Sequence, residues 1–431
     1  MRSQARWMTT LFAFVAASTP ASAEPLQWSG TLTLMQAIQR AQTAGFDVRI
    51  AQADADAAAA RAAASRAEVL PQIGVSGTTS NGGIKQFGVP YAQQTYLLAT
   101  ASVPIFVPSG FNTSTAAART AEAAGYSTAG QRNDAMLVAT QAYERALLAS
   151  AVVESRTITV SYQKRHVDDI ALRVRSGDSP RYQLFESQAA LAQARQALED
   201  SAVGRDAAIS DLEVILDLAV TPDLRLADAL TPLRLDGDMA TYAKRALVQR
   251  PEILAAQKEV NAAQARGASA RAQYLPTIIA SAQTYNGRSN PPLGSTGYQV
   301  GITATLPVVD SGSRPAAVHE ADAAVRHAQA ALEQAQLSAQ RDIANAWREY
   351  RAAQRNLETA RVQATAAAEE FRVASLRDHS GKGTTLEMLS ALSDDAIARE
   401  NVCRAVARIN DAIAAVHHAA GDASLTDKEP T

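Results

Sequence analysis

The chain holds one cysteine, Cys403, so no disulfide framework supports it, even though its N-terminus points to a compartment that would permit one. Aromatic residues are scarce at 5%, while hydrophobic residues reach 47%, much of it alanine. So few aromatics argue against one large globular core. Long alanine-rich stretches with interspersed charge favour extended packed helices. No segment beyond the N-terminus carries 18 uninterrupted apolar residues, which excludes a membrane-spanning helix there. A chain of this kind crosses a membrane only as strands. Basic charge is not in excess, at 41 Lys and Arg against 43 Asp and Glu, so there is no electrostatic footprint for nucleic acid.

Catalytic patterns are missing too. No His-Glu-x-x-His and no Cys-x-x-Cys occurs, and Gly74-Val75-Ser76-Gly77 is not a G-x-S-x-G elbow. His319 and His327 lie about 12 Å apart along a helix, too far to share a metal. His417 and His418 stand near a C-terminus expected to fray. The histidines therefore read as surface residues and Cys403 as a packed small hydrophobe. The expectation is a protein without catalytic residues, cofactor or metal.

The first residues predict export. Arg2 and Arg6 form a basic start, residues 7–17 a short apolar core, and residues 18–23 (STPASA) a small-x-small cleavage pattern. That is a signal peptide over residues 1–23, cut after Ala23. With no cysteine beside the cut, an acylated N-terminus is not expected.

The remaining chain is written twice. Residues 61–73 (RAAASRAEVLPQI) match residues 266–278 (RGASARAQYLPTI) at an offset of 205, with Arg61/Arg266, Leu70/Leu275, Pro71/Pro276 and Ile73/Ile278 coinciding. Ser176-Gly177 returns as Ser380-Gly381. A period this long indicates one duplicated unit. The first repeat spans residues 24–218, a linker 219–238, the second repeat 239–420, and a disordered tail 421–431.

Each repeat has the same order. A helical stretch (32–69; 239–274) stops at Leu-Pro, because proline cannot continue a helix. A strand pair follows, 71–80 with 95–106 and then 276–285 with 298–308. In the last of these, Val300, Ile302, Ala304 and Leu306 alternate with Gln299, Gly301, Thr303 and Thr305, the period of a strand with one apolar face. The loops between strands carry Asn81-Gly82-Gly83 and Asn290-Pro291-Pro292, both turn formers. Tyr91, Tyr96, Tyr285 and Tyr298 lie near strand ends, where an aromatic girdle sits. Hairpins of very long helices close each repeat, at 113–218 and 314–420. Their first arms run on the order of 90–100 Å.

Four strands per chain cannot close a barrel, and lipid tolerates no open sheet edge. Single-chain barrels need at least about 8 strands. Several chains must therefore assemble, and three give 12.

In this order and duplication, the LTLMQAIQRA entry helix, the paired Leu70-Pro71 and Leu275-Pro276 junctions and the Ser-Gly tips together resemble the outer-membrane efflux protein (TolC-like) family. The resemblance covers essentially the whole mature chain. It implies an α+β membrane protein, a homotrimer with a 12-stranded outer-membrane β-barrel continued by a periplasmic α-helical barrel, and a small mixed domain at the helix equator. It further implies an exit duct serving a periplasmic adaptor (membrane fusion protein) and an inner-membrane pump in tripartite efflux, or alternatively a type I protein secretion system.

The resemblance also places a periplasmic gate after the second tip. Glu387 and Ser390 fall where ring-forming acids are usual, and Ser390 departs from that pattern. A ring of like charges favours cations and raises the pKa of its members. Glu387 is equally an acid in a helix's first turn, held by the helix dipole. The family's locking Tyr and Arg are not matched, which leaves Arg377, Asp378 or Lys382 to tie a closed state. The tips Gly177, Asp178, Ser179, Pro180 and Gly381, Gly383, Thr384 are the expected adaptor contacts, although tight hairpins need glycine in any case. Two rival classes remain. A periplasmic adaptor would carry one hairpin and no duplicated strand pairs, and an enzyme would need a convergent polar constellation.

Overall fold

The computed structural model describes Trp28 and residues 30–86, 89–220, 224–290 and 295–424, with the side chains of 80–94 and 288–295 left aside. The expected signal peptide and residues 425–431 of the tail lie outside the described residues.

The first repeat runs through β1 (Thr31–Leu32), α1 (Leu34–Ala44), α2 (Phe46–Ala67), β2 (Gln72–Gln86), β3 (Val89–Phe106), α3 (Pro108–Ser176) and α4 (Arg181–Ile215). After β4 (Arg225–Leu226) the second repeats the pattern as α5 (Met239–Gln249), α6 (Pro251–Ala272), β5 (Thr277–Asn290), β6 (Ser295–Thr305), α7 (Ser313–His379) and α8 (Thr385–Ala420).

Each expected entry helix is in fact two. In the first, the chain turns at Gly45, whose missing Cβ leaves room for the Ala41 carbonyl oxygen; a Cβ would sit 2.5 Å from it. In the second, Arg250 is extended ahead of Pro251, which opens α6 at its first turn. The two breaks lie 205 residues apart, so the duplicated unit bends at one place by two different chemistries.

The expected linker also contains structure. β4 pairs in parallel with β1, Leu32 opposite Leu226. The Tyr143 hydroxyl lies 2.8 Å from both the Leu32 carbonyl and the Asp228 carboxylate. Burial first, and then Asp228, raises the Tyr143 pKa well above its ordinary value. This two-stranded patch, with α1, α3 and α4, forms one core around Tyr143, Leu212 and Leu216.

β2, β3, β5 and β6 form one antiparallel sheet in that order. The strands run longer than their sequence patterns, because Asn81-Gly82-Gly83 does not end the ladder. A register shift between Asn81 and Ile84 takes up an extra residue as a bulge, and pairing continues to Gln86. β6 stops at Thr305, three residues short of its expected end.

The long helices are 69 and 67 residues, roughly 100 Å each. They survive because they are flanked: α3 packs on α2 and α4 and also on α6 and α8, while α7 packs on α6 and α8. The α7–α8 seam has a seven-residue period. Ala339, Ala346, Ala353 and Ala360 alternate with Ile343, Tyr350 and Leu357 on α7. Ala391, Ala398, Ala405, Ala412 and Ala419 do the same with Met388, Ile409 and Val416 on α8. A strict heptad imposes a left-handed supercoil, and alanine at every second seam position lets the axes approach closely.

One acid interrupts the core between α3, α8 and the linker. Glu144 is 3% exposed and accepts a 2.9 Å hydrogen bond from Asn410 Nδ2. Asn410 also accepts from the Leu233 amide at 2.8 Å and donates to the Thr231 carbonyl at 2.9 Å. Burial pushes the Glu144 pKa up to about 7 against the Asn410 bond, with Asp411 and Asp228 adding to the rise. A carboxyl whose folded pKa exceeds its unfolded value loses stability as pH climbs from the unfolded to the folded pKa. Glu144→Gln keeps the acceptor for Asn410 and removes that loss. Calorimetric melts at pH 8 are therefore expected to show it more stable than the parent by about 1–3 kcal/mol. Near pH 4.5 the difference should vanish, and an equal difference at both pH values would show that Glu144 is not the titrating group.

Candidate functional site: the two-faced sheet and the helix tips

Residues directly opposite across an antiparallel ladder share a face, so the register sorts the sheet into two sides. One side is the row Ile73, Ala101, Ala282, Val300, flanked by Val75, Ala99, Thr284, Tyr298 and by Val103, Ala280, Ile302. The other carries Gln72, Ser102, Ser281, Gly301 and then Gly74, Thr100, Gln283, Gln299. On the polar side Gln283 Nε2 donates to Gln299 Oε1 at 2.8 Å. On the apolar side Ile73 is 84% exposed and Val300 74%. An oily face this open needs a solvent other than water.

The tyrosines divide. Tyr298 sits on the apolar face, where a girdle residue belongs, but Tyr96 and Tyr285 sit on the polar face. The expected girdle is corrected there, because the ladder parity puts both among Gln283, Gln299 and Thr100. Tyr285 instead covers Gly297, whose Cβ would lie 2.5 Å from its hydroxyl, so an aromatic ring fills the place of a missing side chain. The Tyr91 side chain lies outside the described residues.

At the opposite end of the helices both hairpins turn by one motif. Gly177 (φ 87°) and Gly381 (φ 71°) take the left-handed conformation that glycine adopts without strain. The Asp178 amide donates to the Arg173 carbonyl at 2.8 Å and the Lys382 amide to the Arg377 carbonyl at 2.9 Å, the same i to i−5 closure. In the first tip Ser176 donates to the Asp178 carboxylate at 2.7 Å, Ser179 closes on the Arg173 carbonyl, and Pro180 opens α4. In the second, Gly383 is required by close approach, since a Cβ would lie 3.0 Å from Arg377 Cβ. Thr384 and Glu387 then form a reciprocal capping box: the Glu387 amide donates to Thr384 Oγ1 at 3.2 Å and the Thr384 amide to Glu387 Oε2 at 3.4 Å.

The expected gate residues separate in space. Glu387 and Ser390 are exposed, three residues apart on α8. Arg377 and Lys382 are exposed, and Arg377 donates to the Lys382 carbonyl at 3.3 Å within its own turn. Asp378 is different. It is 4% exposed and meets Arg173 of the other hairpin, whose Nη1 lies 3.3 Å from the Asp378 carbonyl and 4.0 Å from its carboxylate. Arg173 is held in turn by Asp169 at 2.7 Å, and Thr385 donates to Asp378 from α8. Reading the sequence missed Arg173. The signal was present, because Arg173 is the repeat partner of Arg377 at offset 204, while Val174 occupies the place of Asp378.

Among the polar ties between the hairpins Arg173–Asp378 lies lowest, and two more follow above it on α3. Arg156 meets Glu400 at 3.1 Å, and Glu144 meets Asn410 further along. They span about 44 Å of α3. Two histidines are buried where surface positions were expected. His166 lies beside the lowest tie, and His417 is 1% exposed against the Tyr242 ring, with Nδ1 3.3 Å from Asp422. The end of α8 is thus docked, since Asn133 Nδ2 donates to the His418 carbonyl and His418 Nε2 lies 2.6 Å from Asp134. Cys403 is half-buried, and burial raises its thiol pKa. Among the described residues no cluster of metal-ligating side chains occurs, and no helix is long and apolar enough to cross a membrane.

Residues 242–422, within the second repeat, match the family model described as outer membrane efflux protein. No curated protein matches the chain. Among solved structures it is similar to a membrane protein of Pseudomonas aeruginosa (TM-score 0.77, 20% identity, 90% of this chain and 93% of that one). It is similar also to the CmeC outer membrane channel of Campylobacter jejuni (0.77, 15%, 95% and 92%). The open state of the Neisseria gonorrhoeae MtrE outer membrane channel gives 0.76 at 19%, over 90% and 88%. At these identities the likeness carries the fold, over nearly the full length of each chain.

The tie between hairpins is directly testable. Arg173→Ala leaves the Asp378 carboxylate buried without its cation, an unmet demand of about 1–3 kcal/mol. Amide exchange over 166–188 and 376–390 is expected to quicken by roughly tenfold or more, with the Tyr143 region unchanged. Unaltered exchange at the tips would show that Arg173 does not hold them.

Proposed function

We propose that this chain is one subunit of an outer-membrane exit duct, the terminal component of a tripartite efflux system. The observation that carries the reading is the sheet: four strands with one oily and one polar face, two unpaired edges, and helices of roughly 100 Å running on from it. An open sheet edge is not viable in lipid, so β2 of one copy must pair with β6 of the next. Two copies would give about 8 strands, whose interior side chains fill the barrel. Three copies give 12, with Gln283, Gln299, Tyr96 and Tyr285 lining a lumen. The similar proteins described as outer membrane channels support the same reading.

In this assembly the helices enclose a periplasmic conduit, and the tips at Gly177–Pro180 and Gly381–Thr384 meet a periplasmic adaptor that links to an inner-membrane pump. No group on the path performs chemistry; the duct acts by shape and charge. The second tip forms the gate. Three Glu387 carboxylates, each positioned by its capping box, would ring the constriction, with Ser390 one turn further in and uncharged. Arg173–Asp378 ties each subunit's hairpins in the closed arrangement, taking the place of the family's usual lock.

Cell fractionation with unheated and heated gels is expected to place the protein in the outer membrane as an SDS-resistant, heat-modifiable oligomer. Val300→Arg on the apolar face should cost roughly 2–4 kcal/mol and abolish that oligomer, while Gln299→Arg on the polar face is tolerated. A soluble monomer, or equal tolerance of both substitutions, would defeat the assignment. For the gate, Glu387→Ala is expected to lower cation selectivity and divalent-cation block in planar bilayers. Selectivity identical to the parent's would remove Glu387 from the constriction.

A further inference from the structure

Just inside the second tip, a cavity of about 560 Å³ opens between α3 of the first hairpin and α7 and α8 of the second. We propose that it binds amphipathic aromatic anions, compounds with a flat apolar body and one carboxylate or sulfonate. Its walls are aromatic and come from different hairpins: Tyr162 on α3 and Phe371 on α7 meet edge to face, centroids 5.7 Å apart at 80°. Its floor is Met388 and Leu392 of α8, both buried. A planar apolar body is what such walls accept.

Its polar groups select the charge. The Arg165 guanidinium stacks over the Tyr162 ring at 4.5 Å, and its Nε donates to the Ser161 carbonyl at 3.3 Å. Among the described residues it makes no ion pair with a carboxylate. The neighbouring arginines are taken, since Arg372 is forked onto Glu369 and Arg173 is held by Asp169 and Asp378. Arg165 is thus the cation left to receive a ligand's anion, in the bidentate geometry guanidinium favours.

A second group points the same way. His166 is 8% exposed and lines the cavity, and its Nε2 is buried without a hydrogen-bond partner. Buried polar atoms are almost always paired, so an unpaired one on a residue that lines a cavity marks a place where a ligand atom can supply the missing partner once the ring turns toward it. The charged and titratable groups around it are Arg165, Asp169 and Arg173 on α3 and Arg372, Asp378 and His379 on α7. Asp169 also lines the cavity but its charge is met by Arg173, and α8 presents only Met388 and Leu392. Burial chiefly, against the pull of Asp378 and Asp169, holds the His166 pKa below its ordinary value, so near neutral pH the ring is an uncharged partner. An occupant would touch both hairpins beside the Arg173–Asp378 tie, and so favour the arrangement in which they are joined.

The test uses full-length protein in lipid nanodiscs, with empty nanodiscs correcting for partition into lipid. Naphthalene-2-carboxylate, 2-naphthalenemethanol and 2-naphthylmethylammonium are compared by equilibrium dialysis. The carboxylate is expected to bind saturably and about tenfold more tightly than the ammonium, the difference one charge-assisted contact makes. Arg165→Ala, an exposed position, should weaken the carboxylate by about tenfold and leave the alcohol unchanged. Equal binding of anion and cation, carboxylate binding unaffected by Arg165→Ala, or no saturable binding above empty nanodiscs would each overturn the proposal. The readout is ligand binding, so it stands or falls separately from the duct assignment.

Discussion

The unpaired edges of one four-stranded sheet govern everything else in this molecule. β2 and β6 each present a row of amide and carbonyl groups with no partner strand among the described residues. In water such edges are an aggregation hazard; in hydrocarbon each unmet group costs several kcal/mol. The apolar row from Ile73 to Val300 makes water the wrong solvent, and the open edges make lipid intolerable for one chain alone. Only pairing edge to edge with further copies meets both demands. Because β2 and β6 are different surfaces, that pairing is head to tail, and it closes as a ring when the rotation allows.

The helices inherit the same logic. α2 and α4 lie end to end along one side of α3, and α6 and α8 lie end to end between α3 and α7. Within the chain, α2 and α4 form one flank and α7 the other, a second head-to-tail pair of surfaces set by the first. Helices of this length hold only while flanked, since short-range propensity does not sustain an isolated helix against solvent. The breaks at Gly45 and at Arg250–Pro251 divide the two entry segments at the same place in the repeat. The Leu32–Leu226 ladder and the docked end of α8 then seal the level at which those breaks occur.

Much of this was legible because the sequence is duplicated. An irregular pattern read once is ambiguous; read twice at an offset near 204, it fixes element order and the four strands. The parity of β6 was plain in the alternation from Gln299 to Leu306, and its polar and apolar faces follow that alternation. Strand ends were not legible, because Gly82-Gly83 signals a turn, and whether that turn is a bulge inside a ladder depends on the partner strand. The girdle reading failed for Tyr96 and Tyr285 for a related reason. Nearness to a strand end is visible in sequence, but the face follows from register. The α7–α8 heptad was visible at Ala339, Ala346, Ala353 and Ala360 and was masked by the alanine surrounding it. The burial of His166 and His417 was not legible at all, since it depends on contacts hundreds of residues apart.

The duplication also shows where the two tips depart from symmetry. Both tips close by the same backbone bonds, from Arg173 to Asp178 and from Arg377 to Lys382, so the turn itself does not distinguish them. Side chains differ at matched positions: Val174 against Asp378, Asp178 against Lys382, Ser179 against Gly383, Pro180 against Thr384, Gln183 against Glu387. The second tip gains acids at Asp378 and Glu387, while the first keeps its acid at Asp178, where the second has Lys382. Asp378 reaches across to Arg173, but the first hairpin has no acid at Val174 to return the bond to Arg377. Arg377 therefore folds back on its own turn, at the Lys382 carbonyl. An unreciprocated tie is weaker than a reciprocated one: like tips cross-bonded in both directions would be joined at two points, and at the level of these tips the pair is joined at one.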